Sequence, residues 1–178
     1  MNHQDIRVIK TNESIENALF TLLRSKPLSK VTVTELTRIA RINKGTFYLH
    51  YLDIPDLYSK ILRKTISAPI EKATFFPDFF DDPERFMDKL GQVFVETFPR
   101  VETLMQGQSE RLLLDPLVST LSGKVYETGR LTRCVENDVR LDAVFGALLS
   151  AMPKYYDGHK AEVDAMMVSL IRFFFGGK

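Results

Sequence analysis

One short segment of the chain, residues 32–51, collects side chains that can contact a nucleic acid. Lysine, arginine, threonine and tyrosine donate hydrogen bonds to phosphate oxygens, and lysine can also reach a guanine edge in the major groove. A threonine methyl group can contact thymine, and glycine allows the backbone to approach a groove closely. The candidate DNA-contacting residues are Thr32, Thr34, Arg41, Asn43, Lys44, Gly45, Thr46, Tyr48, His50 and Tyr51.

Two short helices are predicted to position these side chains. Thr32 and Glu35 have the spacing of a capping box, in which the threonine hydroxyl accepts from the glutamate amide and the carboxylate reaches back. The first helix is expected to end near Ala40. Asn43 is a good N-cap for a second helix after a turn of roughly three residues. The pattern therefore predicts a helix-turn-helix motif at residues 32–51.

Apolar residues recur with helical spacing almost throughout, and no long alternating run typical of a strand occurs. The spacing predicts an all-α protein of about nine helices. The expected elements are a helix at about 5–25, the two helices of the motif, a fourth helix from Asp53 toward residue 70, a break or loop at 75–83, a helix around 86–98, one short helix at 99–108, a helix opened by Asp115-Pro116, and two long helices at about 137–156 and 159–175.

Three stretches carry a family resemblance: Val31-Thr-Val-Thr-Glu-Leu36, Ala40-Arg-Ile-Asn-Lys-Gly-Thr-Phe-Tyr-Leu-His-Tyr51 and Asp56-Leu57. Through them, roughly the first 65 residues resemble the DNA-binding domain of the tetracycline-repressor (TetR) family of bacterial transcription regulators. The resemblance implies a helix-turn-helix domain followed by a helical ligand-binding and dimerisation domain. It also implies which residues lie at the DNA-contacting positions, namely Asn43, Lys44, Gly45, Thr46, Tyr48 and His50.

Two departures from the family pattern concern DNA affinity. Arg41 stands in the turn where the family usually has glycine, so it must adopt either a less favourable backbone conformation or a slightly different turn, but it adds a possible phosphate contact. The family commonly has a lysine at the start of the fourth helix that touches a phosphate, and the candidate positions for it hold Leu52 and Ile54 in this chain. The residues that can compensate for this lost anchor are Lys30, Arg38 and Lys60.

Charge is distributed unevenly between two predicted domains. Residues 1–66 carry 11 Lys and Arg against 6 Asp and Glu, a net charge of +5. Residues 67–178 carry 13 against 17, a net charge of −4. A basic amino-terminal part suits phosphate binding, and the acidic remainder should face away from DNA. We therefore predict a DNA-binding domain at 1–66 and a helical ligand-binding and dimerisation domain at 67–178.

The two long carboxy-terminal helices are predicted to form a homodimer interface. Small residues on the first let helix backbones approach closely, and the second is apolar on nearly every side, which favours burial against a second subunit. Burial wholly within one chain is the alternative. By resemblance to the TetR family, a small-molecule effector binds in the preceding region and releases DNA, although ordinary core explains the same aromatic residues. The predicted interface residues are Ala143, Gly146, Ala147, Ser150, Ala151, Met167, Leu170 and Phe174, and the predicted pocket residues are Phe86, Phe94, Phe98, Met105 and Tyr126.

Other functional classes find little support in the sequence. The three histidines are scattered without ligand spacing, and no phosphate-binding glycine loop or nucleophile elbow occurs, so we expect no metal, no cofactor and no enzymatic activity. Cys134 is the one cysteine, which fits a reducing compartment. With no apolar run long enough for a bilayer and no signal-peptide pattern, a cytoplasmic location is expected. The alternative hypothesis is a helical interaction protein of the same fold that has lost operator binding.

Overall fold

The computed structural model describes residues 3–106 and 111–176, and within these ranges all long regular elements are helices. The helix α8 is interrupted at Asp157–His159, where the backbone is non-helical and Gly158 has a φ of 91°. It therefore contains both long helices expected from the sequence, and the all-α prediction is confirmed. The elements are α1 (His3–Leu23), a 3-10 turn (Leu28–Lys30), α2 (Val33–Ala40), α3 (Lys44–Tyr48), α4 (Ile54–Glu71), α5 (Asp78–Asp81), α6 (Pro83–Met105), α7 (Arg111–Glu127) and α8 (Val135–Phe175).

Three expected boundaries are wrong. The stretch at 75–83 is not wholly a break or loop, because it contains α5, whose Phe79 is fully buried. The short helix expected at 99–108 is the end of α6 as far as Met105, and residues 107 and 108 lie outside the described ranges. α7 begins at Arg111, before the expected Asp115.

Prolines explain the last two errors. Pro99 and Pro116 lie inside α6 and α7, although a proline in a helix interior costs roughly 3 kcal/mol by removing an amide donor and crowding the preceding turn. Buried side chains follow each proline, with Leu104 fully buried and Leu121 1% exposed. Tertiary packing of the following turns therefore outweighs the local signal to stop the helix.

The chain divides into two compact units, which we call unit 1 and unit 2. Unit 1 comprises Met1–Thr65 with Pro99–Ser109, and unit 2 comprises Ile66–Phe98 with Glu110–Lys178. The carboxy-terminal end of α6 thus belongs to the same unit as the helix-turn-helix segment. The assignment of DNA binding to residues 1–66, and of ligand binding and dimerisation to 67–178, stays a prediction.

Unit 1 has its own apolar core, formed by α1, α2, α3, the first part of α4 and the end of α6. Two polar contacts fix the α6 end within it: the buried Tyr58 hydroxyl donates to the Leu104 carbonyl at 2.9 Å, and Arg100 lies 3.9 Å from the buried Glu16 carboxylate. Glu16 also accepts from Lys64 at 2.7 Å. The fully buried large residues of this core are Ile15, Leu19, Leu23, Leu36, Phe47, Leu57, Ile61 and Leu104.

Unit 2 has a separate core from α5, α6, α7 and α8. Phe86 is fully buried and packs edge-on against Phe79, with ring centroids 5.2 Å apart. Further along α6, Gly91 lies directly beneath the Tyr156 ring of α8, so that a side-chain carbon at this position would stand 1.9 Å from the tyrosine hydroxyl. Gly91 therefore permits a close approach of Tyr156 to α6.

Candidate DNA-binding surface

The turn between α2 and α3 is a Schellman motif with arginine in the glycine position. The amide of Ile42 donates to the Thr37 carbonyl at 3.0 Å, and the amide of Arg41 donates to the Arg38 carbonyl at 3.3 Å. Arg41 has φ 56° and ψ 43°, the left-handed conformation, and it is the one non-glycine residue with positive φ within the described ranges. Of the two alternatives expected for Arg41, the structure shows the less favourable backbone conformation. This motif gives hydrogen-bond donors to carbonyl groups at the end of α2, and the chain then turns into α3.

Asn43 starts α3 as an N-cap. Its side-chain oxygen accepts from the Thr46 amide at 2.7 Å and from the Thr46 hydroxyl at 2.9 Å. The cap keeps Asn43 extended, with φ −84° and ψ 162°, while Lys44 begins the helix. The Thr46 hydroxyl proton is thus engaged within the chain, which leaves its lone pairs and methyl group for other contacts.

Thr32 caps α2 as predicted, and the Glu35 carboxylate reaches back to the Thr32 hydroxyl and also binds Lys26. The Thr32 hydroxyl oxygen accepts from the Glu35 amide at 3.3 Å. The Glu35 carboxylate accepts from the Thr32 hydroxyl at 2.8 Å and from Lys26 at 2.6 Å. These hydrogen bonds, that from Lys26 above all, lower the pKa of Glu35. Thr34 in the first turn of α2 is exposed.

The helix α3 has one buried side and one open side. Phe47 is fully buried in the core of unit 1 and touches Tyr48 edge-on, with ring centroids 5.3 Å apart. The open side holds three of the predicted residues, Lys44, Gly45 and Tyr48, and Tyr48 is 56% exposed. A fourth exposed residue, Leu49, joins them at the end of the helix, and we call these four residues the α3 face.

The last two predicted contacts lie beyond α3. His50 is half-buried, and its carbonyl accepts from Lys60 at 3.3 Å. Tyr51 is 8% exposed and packs beside Phe47 with the two rings tilted, so burial raises the pKa of its hydroxyl. The Lys60 ammonium lies 5.2 Å from the centre of the Tyr51 ring, which places a cation beside the end of α3.

Leu49 is an exposed residue of this segment that was not among the DNA contacts predicted from the sequence. Leu49 is 83% exposed and Leu52 is 80% exposed, while Ile54, the other residue at a family lysine position, is 6% exposed and packs in the core of unit 1. Leu49 follows Gly45 by four residues, so helical spacing places both on one side. That spacing is the sequence signal that identifies Leu49.

The predicted pocket residues are already packed or hydrogen-bonded. Phe94 and Phe98 stack with ring centroids 4.7 Å apart, and Phe86 is fully buried. The Tyr126 hydroxyl donates to Asp138 at 2.8 Å, and burial together with this contact raises the pKa of Tyr126 to about 12. Met105 belongs to unit 1.

A groove of about 360 Å³ in unit 2 is lined by a different set of residues, between α5 and the end of α8. None of the five predicted pocket residues lines it. Its lining residues are Phe79, Phe80, Asp81, Pro83, Ile171, Arg172, Phe175 and Gly176.

The predicted dimer residues differ widely in exposure. Ala143 and Ser150 are exposed, and Met167 is 4% exposed in the core of unit 2. The neighbouring Met166 is 60% exposed and Phe173 is 80% exposed, so these two apolar side chains of α8 lie open although the sequence did not single them out. The remaining predicted interface residues, Gly146, Ala147, Ala151, Leu170 and Phe174, are half-buried.

Among residues 3–106 and 111–176, no three histidine, cysteine, aspartate or glutamate side chains are grouped to hold a metal ion. No helix of the same residues has both the length and the apolar character required to cross a bilayer.

Comparison with known proteins gives one partial match. No protein-family model and no solved structure matches the chain. Over 71 residues, which are 39% of the chain, it is 28% identical to a Bacillus subtilis (strain 168) protein described as the uncharacterized HTH-type transcriptional regulator YxbF. The matched part is 19% of that protein, so the chain spans about a fifth of its relative's length. The chain is thus similar, over part of its length, to a helix-turn-helix transcriptional regulator.

Proposed function

We propose that the protein is a TetR-type transcriptional regulator that binds a palindromic operator as a homodimer. The observation that carries the proposal is the α3 face, which is held open on a helix-turn-helix motif while Phe47 anchors the opposite side in the core. A lysine, a tyrosine and a glycine on one exposed side can contact phosphates and base edges. The net charge of +5 on residues 1–66 attracts a polyanion, and the partial similarity to a transcriptional regulator supports the same class.

The homodimer is supported by exposed residues of α8. Val135, Val139 and Ala143 follow each other at intervals of four and are all exposed, so they form one stripe. Met166 and Phe173 add large exposed apolar groups in the second half of the helix. A second copy of the chain would cover such groups and provide the second α3 for an operator half-site.

Release by a small-molecule effector that binds in residues 67–178 completes the proposal. The effector must bind more tightly to the conformation that does not bind DNA, because a ligand shifts the balance between two conformations only when its affinities for them differ. Repression rather than activation is proposed by analogy with the TetR family. The main alternative, an interaction protein that has lost operator binding, draws support from the missing lysine at Leu52 and Ile54.

Selection from a pool of random-sequence duplexes tests operator binding. The expected result is enrichment of two inverted half-sites, roughly one helical turn or a multiple of it apart, with an affinity that falls steeply as salt rises. Lys44→Ala and Tyr48→Ala should each weaken binding to the selected duplex, whereas Lys10→Ala, an exposed lysine of α1, serves as the matched control. Failure to enrich any sequence would favour the interaction-protein alternative.

Sedimentation of the purified chain tests the homodimer. The wild type should sediment as a dimer, and Phe173→Glu should shift it toward the monomer, because a charge would replace an apolar group in the interface. Ala161→Glu, at another exposed position of α8, is the control for the added charge. A monomeric wild type would contradict this part of the proposal without affecting the α3 face.

A further inference from the structure

We propose that Leu49 contacts the 5-methyl group of a thymine in each operator half-site and makes binding depend on that methyl group. The inference rests on the proposed function, since it names the base feature that the α3 face recognises. It assigns a role in sequence specificity to a residue that carries no hydrogen-bonding group.

A single exposed leucine is ordinary on protein surfaces, so exposure alone does not indicate a function. The location of Leu49 at the end of α3 is what distinguishes it. Its amide donates to the Gly45 carbonyl at 3.1 Å, and its φ of −71° and ψ of −22° continue the helical conformation. Leu49 therefore lies one turn beyond Gly45 on the exposed side, opposite Phe47. Helical side chains lean toward the amino terminus, so the Leu49 side chain leans toward the turn that contains Gly45.

Gly45 leaves this turn open. A side-chain carbon added to Gly45 would meet only the Asn43 oxygen, at 3.4 Å. Gly45 therefore places no side chain of its own on the open side of the turn toward which Leu49 leans. The side chains on either side, Lys44 and Tyr48, are exposed and polar at their ends.

The chemistry of the major groove supplies one partner for such a group. Base pairs present donors and acceptors there, and the thymine 5-methyl is the apolar group among them. An 83% exposed leucine amid polar side chains matches that methyl group rather than a phosphate or a donor. The net charge of +5 on residues 1–66 favours DNA as the occupant over an apolar protein surface.

Leu52 offers a matched control in the same segment. It is 80% exposed, nearly as exposed as Leu49, but it lies outside α3, and its amide is held by the Asp56 carboxylate at 2.9 Å. Truncation of either leucine to alanine removes the same number of carbons from an exposed site. A difference between Leu49→Ala and Leu52→Ala therefore reports on location and not on general loss of apolar surface.

The experiment replaces thymine by uracil, which removes the methyl group and keeps every hydrogen-bonding atom. Each thymine of the selected operator is replaced in turn, and binding of the full chain is measured at fixed salt. We expect one position per half-site at which uracil weakens binding by about fourfold, the value of one buried methyl group. Leu49→Ala should bind the thymine operator more weakly and respond little to uracil at that position, while Leu52→Ala should respond as the wild type does.

The outcomes separate this inference from the proposed function. If the wild type binds its operator selectively but tolerates uracil at every position, the role of Leu49 is refuted and the regulator stands. The same conclusion follows if Leu49→Ala keeps the full methyl dependence, or if it changes only the self-association of the chain. If the wild type selects no sequence from random DNA, both proposals fail. Thermal unfolding and circular dichroism of Leu49→Ala establish that the variant remains folded.

Discussion

Replacement of Arg41 by glycine should raise stability and lower DNA affinity together. Arg41 occupies the left-handed position of the Schellman motif that ends α2, with φ 56° and ψ 43°. An ordinary residue in this conformation costs roughly 1–2 kcal/mol, which glycine does not incur. Glycine also gives the unfolded chain more freedom, which offsets about 0.4–1 kcal/mol of the gain.

The expected net gain is about 0.5–1 kcal/mol in the free energy of unfolding. For a protein of this length, the thermal midpoint should rise by roughly 1–4 °C. Arg41→Ala is the control, because alanine keeps the strained backbone and also lacks the guanidinium group. The measurement is thermal or denaturant unfolding of the three proteins without DNA. If Arg41→Gly is no more stable than Arg41→Ala, the argument from backbone strain is refuted.

The DNA side of the prediction uses the same two variants. Arg41 is exposed between α2 and α3, where it can contact a phosphate. Loss of one phosphate contact should reduce the slope of log affinity against log salt by about 0.9. Both variants should show this reduction equally, since both lack the charge. Unchanged slopes in both variants would show that Arg41 makes no phosphate contact, whatever happens to stability.

Three further predictions concern unit 2. Gly91→Ala should destabilise the protein by about 1–3 kcal/mol, because the added methyl group would collide with the Tyr156 hydroxyl. Adding Tyr156→Phe should relieve part of this cost, and strictly additive changes in the free energy of unfolding would contradict the predicted collision. The Arg85 hydrogen bond lowers the pKa of Asp78, so ionised Asp78 should stabilise the folded state at neutral pH, and this stabilisation should be lost as pH falls through the aspartate range. The free energies of unfolding of Asp78→Asn and wild type should therefore differ most at neutral pH, and a difference that is equal at every pH would argue against this. The pKa of Tyr126 is raised to about 12 from an ordinary value of 10.0, so the neutral hydroxyl should stabilise the folded state fully below pH 10, and this stabilisation should be lost as pH rises from 10 toward 12. Tyr126→Phe should lack this alkaline loss of stability and the matching step in tyrosinate absorbance, and a variant that titrates as the wild type does would contradict the prediction.

Local interactions made much of unit 1 predictable. The hydroxyl of Thr32 and the amide oxygen of Asn43 cap α2 and α3 because each needs only an amide three residues further along the chain. A turn that resembles one usually built with glycine predicts either a less favourable backbone or a different turn at Arg41, and the left-handed conformation is the first of these. Gly158, with a φ of 91°, separates the two halves of α8 at the gap between the helices expected at 137–156 and 159–175. The atoms that decide these features lie within a few residues of one another.

Tertiary packing decided the features that sequence patterns missed. Proline is a local signal to end a helix, but α6 continues through Pro99 because Leu104 is buried further along. Which side chains of a helix are exposed depends on how the helix is rotated about its axis, and packing against the rest of the fold sets that rotation. Met166 and Met167 are adjacent and chemically identical, yet Met166 is 60% exposed and Met167 is 4% exposed, because packing against the core of unit 2 decides which side of α8 faces inward.

The TetR-family pattern that the amino-terminal segment resembles commonly has a phosphate-contacting lysine near Leu52 and Ile54, so the regulator proposed here would need another cation close to this point. Ile54 is buried, so no charge can stand there. Lys60, two turns later on α4, has its ammonium 3.3 Å from the His50 carbonyl and 2.9 Å from Asp56. Surface ion pairs of this kind contribute little to stability, so Lys60 can exchange the carboxylate for a phosphate at small cost. With Arg41 before α3 and Lys60 beside its end, two cations flank the α3 face, and we therefore expect the missing lysine to alter the details of phosphate contact more than the ability to bind DNA.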